Sequence, residues 1–464
     1  MDTNNFEESF RDRLSTVTKE GKRLWIYAKK PQGKLYNYRK LLSYILLLLF
    51  FITPFIRFEG EPFLMMNILE RKFILFGIIF WPQDSYLFAL MMLSFIFFVI
   101  LFTVVYGRIW CGWACPQTVL MEMVFRRIEY LIDGDAPAQK KLAQRPFDFD
   151  KLWRRVLKHG IFFSISLLVT NTLLAYFIGI EELKTIVIDN IAQHKTGFTA
   201  MILFSLLIYF LFTKFREQVC IIVCPYGRLQ GALLDANSMV VSYDYKRGEP
   251  RSAKKSTSEN EKTGDCIDCK LCQHVCPTGI DIRNGTQLEC INCTACIDAC
   301  NQTMSRVKKP TGLIRIASEN RIAFGKQNKR NVRTIAYSIV LVGILTFFVT
   351  LFVTRPSVEA TILRTPGMLY QEPEEGKISN LNNIKALNKT HQEVPLEIKL
   401  ASHNGVIQMA AGELVVKDQA SAEAVFFVVL NENEIPEGKF EIELEIFAGE
   451  NKIDEIEVTF VGKN

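Results

Sequence analysis

Twelve cysteines carry most of the chemistry this chain can do, and they are not scattered. They stand at 111/115, 220/224, 266/269/272/276 and 290/293/296/300, and residues 301–464 contain none. The third group reads Cys266-Ile-Asp-Cys269-Lys-Leu-Cys272-Gln-His-Val-Cys276-Pro277. The fourth repeats it as Cys290-Ile-Asn-Cys293-Thr-Ala-Cys296-Ile-Asp-Ala-Cys300, with Asn301 in place of proline. This C-x2-C-x2-C-x3-C run is the spacing that holds [4Fe–4S] clusters in pairs. Three closely spaced thiolates wrap three corners of the cube, and the fourth cysteine ligates the other cluster. The spacing predicts one cluster on Cys266, Cys269, Cys272 and Cys300 and a second on Cys290, Cys293, Cys296 and Cys276. Zinc also takes four thiolates, usually as two C-x2–4-C pairs. Two complete runs with 13 residues between them fit iron–sulfur far better. A secreted disulfide scaffold would spread cysteine through its outermost domain, so metal or redox chemistry on a reducing side of a membrane is the better reading.

The other four cysteines form two matching motifs, Trp110-Cys111-Gly-Trp-Ala-Cys115-Pro116 and Val219-Cys220-Ile-Ile-Val-Cys224-Pro225. Each is C-x3-C-P just after an apolar run, which suggests a weak internal repeat. Thiols at i and i+4 share a helix face if the segment is helical. Proline disfavours helix at the cysteine before it and favours a helix starting at itself. Cys115 and Cys224 are then expected at helix N-termini, where the dipole favours thiolate. Paired thiolates suit Cu(I), a dithiol can also cycle through a disulfide, and small buried residues at a tight helix junction are the structural alternative. Met121 and Met123 offer thioethers but also fit core packing. His274 sits between two cysteines of a complete run and is expected to be exposed; His391 and His403 are lone histidines suited to surface roles. Lys254, Lys255 and Lys262 form a basic approach that serves equally as a solvated linker.

The elements that must position these residues are membrane helices. Apolar residues make up 49% of the chain and 35 are Phe, gathered into runs too long for a soluble protein, while Gly (26) and Pro (16) are too ordinary for collagen-like or disordered chains. A span needs about 20 apolar residues. Residues 41–58, 87–106, 160–180 and 334–353 qualify, as does the shorter 197–212; residues 73–81 are too few and are expected to be interfacial or re-entrant. Lys and Arg concentrate in 1–40, 107–158 and 214–333 and thin out between, which by the positive-inside rule predicts an N-terminus inside and a C-terminus outside after five spans. No cleavable leader is expected, since the first 40 residues are charged. Residues 355–464 carry 10 Lys and Arg against 19 Asp and Glu, a net −9, leaving +15 on residues 1–354. From Leu396 short alternating runs with Asn and Gly turns predict a small antiparallel sandwich, preceded at 355–395 by a linker.

These motifs resemble the cytochrome c oxidase accessory proteins, the CcoG/FixG/RdxA family. The similarity runs through Trp110-Cys-Gly-Trp-Ala-Cys-Pro-Gln-Thr-Val, Cys224-Pro-Tyr-Gly-Arg-Leu-Gln, Tyr243-Asp-Tyr-Lys-Arg-Gly-Glu-Pro-Arg251 and both ferredoxin-type runs. It covers nearly the whole chain. The fold expected is a polytopic α-helical membrane protein of about five transmembrane helices. It comprises a basic cytoplasmic N-terminus (1–40), a four-helix region with both C-x3-C-P motifs (41–240), a ferredoxin-like two-cluster domain (241–333), a fifth helix (334–354) and a periplasmic immunoglobulin-like domain (355–464). The resemblance implies a bacterial inner-membrane cupric reductase that delivers Cu(I) for assembly of a cbb-type oxidase, with copper as substrate or bound ligand at Cys111, Cys115, Cys220 and Cys224. Implied partners are copper-delivery proteins and the oxidase assembly machinery, with no nucleic acid. The electron donor, a cytoplasmic protein or a quinol, stays open, as does homodimer formation. The competing class is a quinol-linked electron-transfer subunit of a respiratory reductase, and a third is a scaffold with structural clusters.

Overall fold

In the computed structural model, residues 16–17, 20, 22–58, 60–68, 72–81, 84–188, 194–252, 264–325, 332–365, 370–374, 376–390, 392–410, 412–436, 438–449 and 451–463 are described. Lys254, Lys255, Lys262 and His391 lie outside them. The chain divides into two compact units, residues 1–347 and 348–464.

Among the described residues, five helices of the chain are long and apolar enough to cross a membrane: Lys34–Phe55, Ser85–Tyr106, Phe149–Ile178, Lys195–Phe215 and Val332–Val353. The first begins at Lys34, earlier than its apolar run, because its N-terminal turn is held by protein rather than lipid. The Asp298 carboxylate accepts from the N–H groups of Leu35 (3.3 Å) and Tyr36 (2.8 Å), a helix cap supplied from 262 residues away. A Cβ at Gly33 would meet Asp298 Cγ at 2.2 Å, so glycine is required where that carboxylate sits. One turn on, buried Arg39 donates to Gly112 O at 2.6 Å. The third span starts at Phe149 behind an Asp148 cap that accepts from Lys151 N at 2.9 Å. Its 30 residues extend about 45 Å, longer than a hydrocarbon core of about 30 Å, and its polar residues gather in its first third.

Between the first and second spans, residues 73–81 are not re-entrant. Strands Leu64–Asn67, Lys72–Leu75 and Ile78–Phe80 form an antiparallel three-stranded sheet with Ile74 and Ile79 in its core. Phe76 and Gly77, both at positive φ (56° and 80°), form the two-residue turn that pairs Leu75 with Ile78. After the second span, helical segments from Pro116 to Ile132 pack on the third and fourth spans through Phe125, whose ring stacks on Phe212 at 4.4 Å and meets Phe162 edge-on at 4.9 Å.

The cysteine-rich insert is closed by a two-stranded sheet, Val240–Tyr243 against Ile314–Ala317. Its core joins Val241, Ile280, Ile282, Ile297, Met304, Leu313 and Ile314 to the thiols of Cys266, Cys272 and Cys300.

The second unit is an antiparallel sandwich. One sheet orders strands Gly405–Met409, Ser421–Asn431, Lys377–Asn388 and Val358–Arg364, with Gln371–Glu374 also on Lys377–Asn388; the other orders Leu414–Val416, Val394–Leu400, Lys439–Ala448 and Asn451–Val461. The linker expected at 355–395 is therefore three strands and the start of a fourth. Lys377–Asn388 hides because three of its inward residues are asparagines: Asn380, Asn382 and Asn388 are buried, and Asn380 exchanges hydrogen bonds of 3.0 Å with the backbone of Val461. Here an amide side chain substitutes for backbone pairing between the two sheets.

Candidate metal centres

The local backbone is duplicated along with the sequence. In each ferredoxin-type run the residues immediately before and after the second cysteine adopt left-handed φ: Asp268 (49°) and Lys270 (55°) in the first, Asn292 (51°) and Thr294 (65°) in the second. Only Gly, Asn and Asp visit this region readily, so four non-glycine residues held there mark a backbone bent to aim three thiols inward. Lys270 and Thr294 then start the helices Leu271–His274 and Ala295–Arg306, the second of which carries Cys296 and Cys300.

Two thiol groups result. Cys276, Cys290, Cys293 and Cys296 line one small cavity with Ile280, Ile282 and Ile291 on its walls, and Cys272 reaches its edge. Cys300 interacts electrostatically with Cys266 and Cys269, and Cys272 with Cys300 and Cys269. Cys276 thus lies with the thiols of the second run, and Cys300 interacts with those of the first. Burial pushes the thiols of Cys293 and Cys300 up to about 11 and of Cys272 and Cys290 up to about 12, with neighbouring thiols adding to the effect. Such thiols stay protonated until a cation pulls the protons off. Among the described residues no three His, Cys, Asp or Glu side chains close on a single ion. Four thiols around an apolar space fit a cube of iron and sulfide. His274 is exposed, as expected of a residue between ligands.

The C-x3-C-P pairs are set by breaks in helix, not by one helical face. Cys111 lies in the short helix Ile109–Trp113, and Cys220 in the π-helical turn Val219–Val223. Cys115 and Cys224 are extended and cap the helices beginning at Pro116 and Pro225. The four thiols are electrostatic neighbours, Cys220 interacting with Cys111, Cys115 and Cys224, and Cys111 with Cys115 and Cys224, though no three of them close on a single ion. Burial pushes Cys111 up to about 11 and Cys220 up to about 12, so these two are not pre-formed thiolates. Met121 and Met123 are buried, Met121 against Phe125, Phe162 and Phe212, in packing roles.

Residues that spacing could not reveal hold the two motifs together. Gln230, one helix beyond Cys224, accepts from Cys111 Sγ at 2.9 Å and from Arg108 Nε at 3.3 Å. Thr118, just beyond Cys115, hydrogen-bonds Cys220. Gly112 brings the assembly against the second quartet: a Cβ there would lie 2.3 Å from Ile291 O and 2.9 Å from Cys293 N. Cys111 and Cys293 share one buried cluster with Val275, Ile291, Ala295 and Ala299.

Comparison with known proteins gives these groupings a context. Family models described as "4Fe-4S dicluster domain", "4Fe-4S binding domain" and "IG-like fold at C-terminal of FixG" match residues 215–319, 88–134 and 348–463. The chain is 34% identical to protein RdxA of Cereibacter sphaeroides over 74% of its own length and 75% of that protein's. It is 32% identical to RdxB of the same organism over 82% and 83%. To the nitrogen fixation protein FixG of Rhizobium meliloti it is 37% identical over 64% and 58%. With its five apolar helices, its [4Fe–4S] domains and its immunoglobulin-like domain, this chain is a membrane iron–sulfur protein of oxidoreductase type and belongs to the FixG/RdxA family.

Proposed function

We propose that the protein reduces Cu(II) to Cu(I) at Cys111, Cys115, Cys220 and Cys224 and hands the product on for assembly of a cbb-type cytochrome c oxidase. Cys266, Cys269, Cys272 and Cys300 would hold one [4Fe–4S] cluster, and Cys276, Cys290, Cys293 and Cys296 a second. When bound, these clusters supply one-electron storage and transfer. Cu(II) is the substrate: it takes one electron, the thiols that receive it release their protons, and Cu(I) remains on soft thiolates. The observation that carries the reading is the contact of Gly112 with the Ile291–Cys293 backbone, which leaves the copper thiols and the second quartet sharing one apolar wall. The basic segments 1–40, 107–158 and 214–333 support a cytoplasmic placement of both, and the acidic sandwich then faces the periplasm as a docking module for copper-delivery proteins.

The test is anaerobic Cu(II) reduction by protein whose clusters have been reduced with dithionite and freed of excess reductant. Cys111→Ser with Cys224→Ser is expected to abolish the reduction while iron content and the visible cluster spectrum stay those of the parent. A variant that reduces Cu(II) as fast as the parent would leave these thiols as packing at a helix junction and remove copper from the mechanism.

A further inference from the structure

A second polar centre lies on the other side of the same bundle, and the relay above makes no use of it. Where the polar first third of the third span meets the end of the fourth, a cleft of about 300 Å³ opens, lined by Trp25, Tyr27 and Phe162 on its aromatic side and by Asp133, Arg155, Lys158, His159 and Lys214 on its polar side. Asp133 is buried; its Oδ2 pairs with Lys158 Nζ at 2.5 Å, but its Oδ1 is also buried and has no hydrogen-bond partner. An orphaned carboxylate oxygen costs about 1–3 kcal/mol or more, and this one belongs to a residue on the wall of the cleft, within a side-chain rotation of a donor bound there. His159 is oriented for the same space by Tyr209, whose Oη lies 2.8 Å from its Nδ1.

The cleft connects to the cysteine centres through buried charge. Glu129, on its floor, pairs with Arg216 at 2.9 Å; Arg216 contacts Glu217 at 3.5 Å; Glu217 contacts Arg126 at 3.6 Å; and Arg126 donates to Pro277 O at 3.5 Å, next to Cys276. Each of these side chains is buried. Groups so fixed do not rearrange cheaply, and they join a site with hydrogen-bonding acid–base groups to the edge of the second quartet.

We infer that this cleft binds a membrane quinol and is where electrons enter the protein. The inference rests on the electron-transfer reading above and supplies its donor. A planar aromatic ring with a hydroxyl at each end matches aromatic walls, an unpartnered carboxylate oxygen and an oriented imidazole. A metal ion would compete with Lys158 for the Glu129 and Asp133 carboxylates. The position at the bilayer end of two spans suits a donor dissolved in lipid. In the balanced step one quinol becomes one quinone. Its two electrons would leave singly for the two [4Fe–4S] groups that the cysteine quartets would hold, one electron each, and its two hydroxyl protons would pass to the Asp133 carboxylate and the His159 ring before release to water.

The test uses full-length protein in detergent with two probes, decylubiquinone and menadione, and their reduced forms. Calorimetric titration of the oxidised probes reads binding without turnover; anaerobic mixing with the reduced probes reads bleaching of the cluster absorbance. The parent is expected to bind at least one probe and to bleach with its quinol. Asp133→Asn and His159→Gln are each expected to weaken binding about tenfold, as loss of one buried hydrogen bond does, while dithionite still reduces their clusters fully. Absence of binding by both probes, or unchanged affinity in both variants, overturns the inference. If dithionite-reduced parent still reduces Cu(II) in that case, the copper reading stands and only the donor is wrong. Quinone binding and bleaching without any Cu(II) reduction would support the cleft and remove the copper reading instead.

Discussion

Eight cysteines and four cysteines are organised in this molecule by different means. The eight belong to two short runs whose backbone is bent locally, with left-handed residues at the same two positions of each repeat. The four come from segments more than 100 residues apart and are joined by side chains outside the motifs, Gln230 on Cys111 and Thr118 on Cys220. A local run aims its thiols whatever the rest of the chain does, which suits a group that is installed once and stays. Thiols assembled across separate helices shift when those helices shift, which suits a metal that must arrive and leave. Under the proposed function, geometric strain falls at the resident centres and tertiary dependence at the exchangeable one.

Three substitutions bear on that comparison. The largest expected effect comes from Cys300→Ser, which should remove about half of roughly eight irons per chain and leave the second cluster's spectrum. Iron analysis and low-temperature EPR of the reduced protein check it, and selective loss of the second cluster would mean that the runs do not exchange their fourth thiols. Next is Gly112→Ala. It drives a methyl into Ile291 O and should slow Cu(II) reduction on the order of tenfold to a hundredfold, the usual cost of displacing reacting groups by about 1 Å. Full iron content should be retained, and an unaltered single-turnover rate would break the link between the two kinds of centre. Smallest is Lys270→Gly. Its exposed side chain sits at φ 55°, so glycine should stabilise the holoprotein by about 1 kcal/mol, seen as a higher unfolding midpoint. A lower midpoint would show that the bend costs nothing and that the lysine itself matters.

Much of the architecture was legible because it rests on long, uniform signals. Runs of about 20 apolar residues have few alternatives to a membrane helix, and the alternating segments after Leu396 could hardly be anything but strands. Features that depend on distant partners were not legible. The first span's early start depends on Asp298, which no local pattern connects to Lys34. The strand Lys377–Asn388 breaks apolar alternation with buried asparagines whose partners include Val461, 81 residues away. Of the candidate site, the cysteine types and spacings could be read directly; Gln230 and Thr118 stand inside the family motifs but without a readable role, and Asp133 carries no motif. Their roles come from what faces them. Helix breaks at both C-x3-C-P motifs were partly readable from the prolines, whereas the π-helical turn at Cys220 had no signal of its own.

Cys269 is the one exposed cysteine among the twelve. With iron bound, its thiolate is the point at which oxygen, peroxide and chelators first reach the metal, since oxidation follows thiolate character and access. Its three companions in the quartet, Cys266, Cys272 and Cys300, are buried and inherit the damage only after the cube has opened. Exposure to air should therefore destroy the two centres in sequence rather than together. With both clusters held as proposed, the first quartet would act as a fuse, failing while the second remains intact.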